Sequence, residues 1–259
     1  MTESPQKNHP RIRTVARVPP PYPLNHFPSD FALKVGKEIV YILATDPLGA
    51  LRDKQPDIEG RVWERIFSIA VNGQWKPSNV GLDDIILGNC AWSAKTLKQN
   101  KPFESSKVRL ISGRNSSAYS FNERNMQRKP QTIGNEVLAI WNERVENLRA
   151  RYAHMRTVVL IKSPALTEFT VFETETLIYP PDKFYWEMNK RNNLEGYDVR
   201  TKEHRFTWQF SGSQFTVIEP VPAKRLRFSV RRPPHLSAET VLEKMRFDSS
   251  WIKVHSGKS

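Results

Sequence analysis

Cysteine is nearly absent from this sequence, since Cys90 is the only one among 259 residues. A single cysteine cannot form an internal disulfide or a cysteine-rich zinc site. The six histidines show no H-E-x-x-H or similar spacing, so a zinc hydrolase is not expected. No apolar run is long enough to span a bilayer. These shortages together predict a cytoplasmic protein that makes no use of a membrane.

Acidic residues are also scarce relative to basic ones. The chain has 27 Asp and Glu against 40 Lys and Arg, which gives a formal net charge of +13. Such a charge favours a polyanionic partner, above all nucleic acid. An anionic membrane would call for a basic amphipathic helix or a polybasic cluster beside an apolar segment, and the sequence has neither.

The length allows one large domain or two small ones. Residues 1–28 are basic and rich in proline, which predicts a mobile or surface-draped arm. Four of its basic residues could grip a phosphate backbone: Lys7, Arg11, Arg13 and Arg17. A tail without a specific role is an equal alternative. We expect residues 29–259 to form a single domain.

Residues 81–95, GLDDIILGNCAWSAK, read as two strands joined by a tight turn at Gly88-Asn89. Pairing outward from that turn sets Leu87 opposite Cys90, Ile86 opposite Ala91, Ile85 opposite Trp92, and Asp84 opposite Ser93. Because side chains alternate along a strand, Asp84, Ser93 and Lys95 should share one face. A carboxylate, a hydroxyl and an ammonium in that arrangement could hold a metal ion and orient a water, which is the chemistry needed to cut a phosphodiester bond.

The remaining periodicities predict a mixed α/β (α+β) fold around one central sheet, with a β-rich C-terminal extension. Helices are expected over 29–44, 57–71 and 135–151, with a closing helix capped by Ser237. Strands are expected over 108–112, 155–162, 169–177 and 225–230, with a further hairpin within 204–220.

This order resembles the PD-(D/E)XK nuclease superfamily, and within it the type II restriction endonucleases. Their core is a helix, a hairpin bearing an Asp and a (D/E)-x-K motif, a second helix and another strand, and residues 57–162 follow that order. Asp84 stands at the Asp position and Lys95 at the Lys position. GRVWERI in the preceding helix is similar to a G-x-x-x-E element, which places Glu64 at the accessory carboxylate. The resemblance implies a restriction-endonuclease-like mixed sheet flanked by helices, with DNA recognition over 163–259.

The chain departs from the motif at two positions. Asp83 replaces the usual Pro, and Ser93 replaces the acidic residue two before the Lys. A hydroxyl is a poor substitute for a carboxylate on a hard divalent cation. Some restriction enzymes resemble this S-x-K pattern and take the missing carboxylate from the following helix, where Glu136 is the preferred candidate here and Glu143 the second. The other interpretation is that Ser93 marks a weakened or inactive site.

The resemblance implies a role for each of these residues. Asp84 would bridge Mg²⁺, Glu64 or Glu136 would complete the metal shell, and Glu59 is a rival of Glu64. Lys95 would hold or deprotonate the attacking water. The alternative for Asp84 and Lys95 is a cross-strand salt bridge on a solvated face.

Two polar segments are candidate DNA readers, because Arg suits guanine, Asn suits adenine, and Lys and Ser suit phosphates. The first, within 112–117, supplies Arg114, Asn115 and Ser116. The second, within 186–196, supplies Asn189, Lys190, Arg191, Asn192 and Asn193. Solvated turns are the alternative, since Asn is also a turn residue.

The functional hypothesis is a Mg²⁺-dependent type II restriction endonuclease that cleaves double-stranded DNA at a short sequence. The family implies a homodimer, the cytoplasm of a prokaryotic cell and a cognate DNA methyltransferase as the companion activity. Two alternatives stay open. One is a non-catalytic DNA- or RNA-binding protein with a degenerate nuclease core, and the other is a repair or recombination nuclease that recognises DNA structure.

Overall fold

A computed structural model describes residues 18–45, 57–76, 81–114 and 129–253. Four α-helices lie in these ranges: α1 (Phe31–Thr45), α2 (Gly60–Val71), α3 (Pro130–Arg149) and α4 (Ala238–Lys244). None of the helices in the described ranges has the length and apolar composition needed to cross a bilayer.

Strands make up most of the remaining structure. In chain order they are β1 (Gln74–Trp75), β2 (Ile85–Leu87), β3 (Cys90–Lys98), β4 (Lys107–Arg114), β5 (His154–Lys162), β6 (Glu168–Glu175), β7 (Phe184–Met188), β8 (Asn193–Asp198), β9 (His204–Gln209), β10 (Gln214–Pro220) and β11 (Leu226–Ser229). The first sheet has the order β1-β2-β3-β5-β6-β11. Its β3 and β5 are parallel and its other pairs are antiparallel. The second sheet, β4-β10-β9-β8-β7, is antiparallel throughout.

The mixed α/β class is confirmed, whereas the expectation of one central sheet is wrong. Strand β4 belongs to the second sheet and pairs with β10, where Val108 lies opposite Glu219 and Leu110 opposite Val217. Strands β7 to β10 pair with one another, and only β11 returns to the first sheet. Alternation along a strand predicts which side chains are buried but not which partner strand it joins, so the division into two sheets was not visible in the sequence.

Two helices begin at other residues than the sequence predicted. Helix α3 starts at Pro130 rather than near residue 135, because proline is well accommodated in the first turn of a helix. Helix α2 starts at Gly60, since Asp57 is engaged elsewhere: its carboxylate lies 2.6 Å from Lys162 Nζ and accepts the Ile58 amide at 2.9 Å. The predicted cap of α4 is confirmed, with Ser237 Oγ accepting the Thr240 amide.

Helices α1 and α2 cover one face of the first sheet and form an apolar core with it. Trp63 and Phe67 of α2 pack there, with ring centroids 5.7 Å apart, and Phe67 also contacts Trp92 of β3. All three side chains are fully buried, so this core fixes how α2 lies on the β2–β3 hairpin.

A buried ion pair lies within the same face. Arg156 Nη1 is 3.3 Å from Glu173 Oε2. The other Glu173 oxygen accepts hydrogen bonds from Trp92 Nε1 at 2.6 Å and from the Tyr22 hydroxyl at 3.0 Å, and the Asn25 amide donates to Oε2 at 3.2 Å. Glu173 therefore has a donor or a cation on each oxygen.

Residues 18–28, which belong to the predicted N-terminal arm, contact the first sheet. The Val18 carbonyl accepts hydrogen bonds from Asn89 Nδ2 and His154 Nε2, and Tyr22 reaches Glu173. The basic residues of the predicted arm, Lys7, Arg11, Arg13 and Arg17, lie outside the described residues.

Helix α3 lies between the two sheets and packs against both. Val137, Trp141 and Val145 belong to a second core that includes Ala91 of β3 and Phe206 of β9. At its first turn, Gln131 exchanges hydrogen bonds with the backbone of β7, at the Phe184 carbonyl and the Trp186 amide.

The approach of α3 to β7 requires a glycine. A Cβ atom at Gly134 would fall 2.2 Å from the Trp186 indole, which is too close for any side chain. The helix therefore sits directly on that ring, and its position relative to the second sheet is fixed at this contact.

Candidate active site

The β2–β3 hairpin has the predicted register, with Ile85 opposite Trp92, Ile86 opposite Ala91 and Leu87 opposite Cys90. Gly88 adopts a φ of 58°, a left-handed conformation that glycine adopts without strain. Trp92 and Ala94 point into the core under α1 and α2. Ser93 and Lys95 therefore point to the opposite face.

Asp84 is a buried carboxylate with few partners. Its side chain accepts the Ala94 amide at 2.9 Å and the Ser93 hydroxyl at 3.3 Å, both on Oδ2. Among the described residues, no donor reaches Oδ1. Burial raises the pKa of Asp84 to about 6, and the negative charge of Glu64 also raises it. The hydrogen bond from the Ala94 amide and the positive charge of Lys95 lower it, but by less.

Lys95 is half-buried on the same face. Its burial lowers the pKa of the ammonium, and the charges of Asp84 and Glu64 oppose that change. Within the described part of the chain Lys95 closes no ion pair with either carboxylate. The alternative interpretation, a salt bridge on a solvated face, does not match this pair, because Asp84 is buried and Lys95 forms no ion pair with it in the described structure.

Glu64 reaches the same group from helix α2, which packs on the other face of the sheet. Its Oε2 accepts a hydrogen bond from Trp75 Nε1 at 3.1 Å. Its charge acts on both Asp84 and Lys95. Of the predicted site residues, Ser93 is hydrogen-bonded to Asp84, and Lys95 and Glu64 are near enough for their charges to act on it.

The described residues show no contact between the candidate glutamates of α3 and this group. Glu136 and Glu143 are exposed on α3, and neither is among the charges that act on Asp84 or Lys95 in the described structure. Because α3 begins at Pro130, Glu136 belongs to its second turn rather than its start. Glu59 occupies the N-cap of α2 and acts electrostatically on Lys162.

Asp83, which stands where the motif usually has Pro, has a structural partner set that the sequence did not reveal. Its Oδ2 lies 2.8 Å from Lys76 Nζ and 3.6 Å from Arg151 Nη2, and Tyr152 donates to it at 3.4 Å. Asp83 therefore ties the end of β1 to the end of α3, immediately beside Asp84.

The second predicted DNA reader is the β7–β8 hairpin loop. Asn189 holds this loop in shape, because its Oδ1 accepts the Arg191 and Asn193 amides and its Nδ2 donates to Glu195. Lys190, Arg191 and Asn192 are exposed at the tip, and Asn192 has a φ of 56°. Asn189 and Asn193 thus serve the turn, whereas three side chains face solvent.

The first predicted reader is described only in part. Arg114 is the last residue of β4, paired with Gln214 of β10. Asn115 and Ser116 lie outside the described residues.

The acidic groups in the candidate site fit a small divalent cation only in part. No group of three or more His, Cys, Asp or Glu side chains with metal-binding geometry occurs in the described ranges. Asp84 and Glu64 are two carboxylates, and Mg²⁺ commonly takes only one or two from a protein and fills its shell with water and substrate phosphates. The two carboxylates therefore suit a Mg²⁺ ion whose remaining ligands are water molecules and a substrate phosphate.

No protein-family model, no curated protein and no solved structure matches this chain. Its site is therefore interpreted from the geometry of its own residues.

Proposed function

We propose that this protein is a Mg²⁺-dependent endonuclease that hydrolyses phosphodiester bonds in double-stranded DNA, of the type II restriction kind. The observation that carries this proposal is the cluster of Asp84, Lys95 and Glu64. A buried carboxylate and a half-buried lysine act electrostatically on each other and on a second carboxylate there. Among the described residues, one oxygen of Asp84 accepts no hydrogen bond and Lys95 forms no ion pair. Perturbed charged groups in one place are typical of catalytic sites.

The arrangement of elements around the cluster supports the same proposal. Helix α2 is followed by the β1–β2–β3 strands, α3 and the parallel strand β5. This is the order that the resemblance to PD-(D/E)XK nucleases implies. Strand β4, which joins the second sheet, is an addition within that order.

The proposed chemistry assigns each residue a role. Asp84 through Oδ1 and Glu64 would hold Mg²⁺, which when bound would polarise the scissile phosphate and stabilise its developing charge. The lowered pKa of Lys95 suits it to orient and deprotonate the attacking water. The Asp84 carboxyl, with a pKa of about 6, is mostly ionised at pH 8 and able to bind the cation.

Charge and the β7–β8 loop support DNA as the substrate. The net charge of +13 favours a polyanion. Lys190, Arg191 and Asn192 stand exposed on a loop held by Asn189, so their side chains are available to bases and phosphates. We propose a homodimer acting on a two-fold symmetric site, with a cognate DNA methyltransferase as the companion activity.

The test is cleavage of unmethylated phage DNA by the purified protein, with and without Mg²⁺. We expect discrete bands that require Mg²⁺ and that disappear in Asp84→Ala. Glu64→Ala and Glu136→Ala form a matched pair: the assignment to Glu64 predicts loss of cleavage in the first variant and retention in the second. The reverse result would move the accessory role to Glu136.

A second function, binding without cleavage, is favoured by Ser93. A buried hydroxyl, 1 % exposed, stands where the motif has a carboxylate. Intact DNA that still shifts in a gel, with affinity falling steeply as salt rises, would establish it. Nicks at branched or mismatched DNA instead of discrete bands would indicate a nuclease that recognises DNA structure.

A further inference from the structure

Strand β1 lies next to both carboxylates of the candidate site. Its Trp75 pairs with Ile85 of β2, the residue directly after Asp84. The Trp75 indole Nε1 donates to Glu64 Oε2 at 3.1 Å. One side chain therefore joins the strand that borders Asp84 to the glutamate that arrives from α2.

Lys76, the residue after Trp75, is hydrogen-bonded to the backbone of Asp84. The Lys76 amide donates to the Asp84 carbonyl at 2.8 Å, and its ammonium pairs with Asp83. Two consecutive residues thus fix Glu64 through its side chain and Asp84 through its backbone.

Glu64 depends on this contact more than Asp84 does. Among the described residues, Trp75 supplies the one hydrogen bond to the Glu64 carboxylate. A glutamate side chain that is not held samples many rotamers, and ordering it on binding a ligand has an entropic cost. A donor on one oxygen lowers that cost and leaves the other oxygen for a ligand.

We propose that Trp75 is a positioning residue for a divalent-cation site formed by Glu64 and Asp84, and that its indole ring lies close enough to the bound cation to report it. This inference rests on the cation site of the proposed function. It concerns binding, so it can be measured without cleavage.

The experiment is a terbium titration of the full chain without DNA. Tb³⁺ is a hard cation that prefers oxygen ligands, as Ca²⁺ and Mg²⁺ do, and it emits when an excited indole lies near, with an efficiency that falls steeply with distance. We expect Mg²⁺-displaceable emission from the wild type. Trp75→Phe should remove most of that emission, and calorimetric titration of each variant with Tb³⁺, which needs no indole, should show binding weakened about tenfold.

Trp251→Phe is the matched control, because Trp251 is 60 % exposed and lies in the C-terminal segment. It should change neither the emission nor the midpoint. Glu64→Gln should also weaken binding. If Trp75 acts through Glu64, the double variant Trp75→Phe/Glu64→Gln should bind no more weakly than Glu64→Gln alone.

Three outcomes would overturn the inference: no displaceable emission from the wild type, an unchanged titration in Trp75→Phe, or additive losses in the double variant. A change of fold in Trp75→Phe would appear as an altered far-ultraviolet circular dichroism spectrum. DNA cleavage is scored separately, so a protein that binds terbium through Trp75 but leaves DNA intact would refute the nuclease and support the positioning role.

Discussion

A carboxylate is buried on each face of the first sheet, and the two differ in their hydrogen-bond donors and neighbouring cations. Glu173, under α1 and α2, has Arg156 and three hydrogen-bond donors distributed over both oxygens. Asp84, at the β2–β3 hairpin, has two donors on one oxygen and no cation in contact within the described structure. Burial raises the pKa of both carboxyls, so partners rather than burial distinguish them.

The number of partners determines whether a buried carboxylate contributes to stability or is available for binding. A buried carboxylate that is fully paired can bind little else, and its removal leaves its partners unsatisfied. A buried carboxylate that is incompletely paired costs stability in the folded protein and is available to a ligand. Such a cost at one position is typical of a functional site.

The largest effect is expected at Glu173. Glu173→Ala leaves Arg156 buried without a counter-charge, which should lower the free energy of unfolding by about 3–5 kcal/mol. Urea denaturation measures it. Glu175→Ala, on the same strand but exposed, is the control and should change stability by less than about 0.5 kcal/mol. A loss below about 1 kcal/mol in Glu173→Ala would remove the basis of the comparison.

Asp84→Asn should have the opposite sign. The folded-state pKa of about 6 lies above the usual value of 3.8, so the ionised carboxyl destabilises the folded state above pH 6, and this cost fades as the pH falls from 6 to 4. Removing the charge should stabilise the protein by about 3 kcal/mol at pH 8 and by about half of that at pH 5. Thermal unfolding without divalent cations measures both.

A lower melting temperature for Asp84→Asn at pH 8 would contradict this interpretation. It would show that the two hydrogen bonds on Oδ2 outweigh burial, and Asp84 would then resemble Glu173.

The smallest effect is expected at Tyr22. Tyr22→Phe removes one of three hydrogen bonds to Glu173 and leaves Arg156 in place, which should cost about 1.5 kcal/mol. Chemical denaturation of this variant beside Tyr41→Phe, whose ring is 64 % exposed, isolates the buried hydroxyl. Equal stability of the two variants would show that the remaining partners of Glu173 suffice.

Local signals in the sequence were enough to predict the hairpin and its site face. The Gly88-Asn89 turn and strict alternation fix the register, and the structure has that register. The N-cap of α4 could likewise be predicted from a local signal, the serine at position 237. Glu64 was found through its spacing in a motif, because nothing in the periodicity of α2 shows that this glutamate reaches the β2–β3 hairpin.

The features that the sequence did not reveal depend on contacts between distant residues. Tyr22 and Glu173 are separated by 151 positions, and β4 pairs with β10, which lies at least 100 positions later. No propensity or alternation carries that information. Trp75 was missed for a related reason, since its two-residue strand is too short to show a period.

Helix α3 makes specific contacts at both of its ends. Its 20 residues span about 30 Å at the usual rise. One end is fastened to β7 by Gln131 and by the fit of Gly134 against Trp186. Just past the other end, Arg151 and Tyr152 hold Asp83. Helix α3 therefore connects β7 of the second sheet to Asp83, the residue beside Asp84.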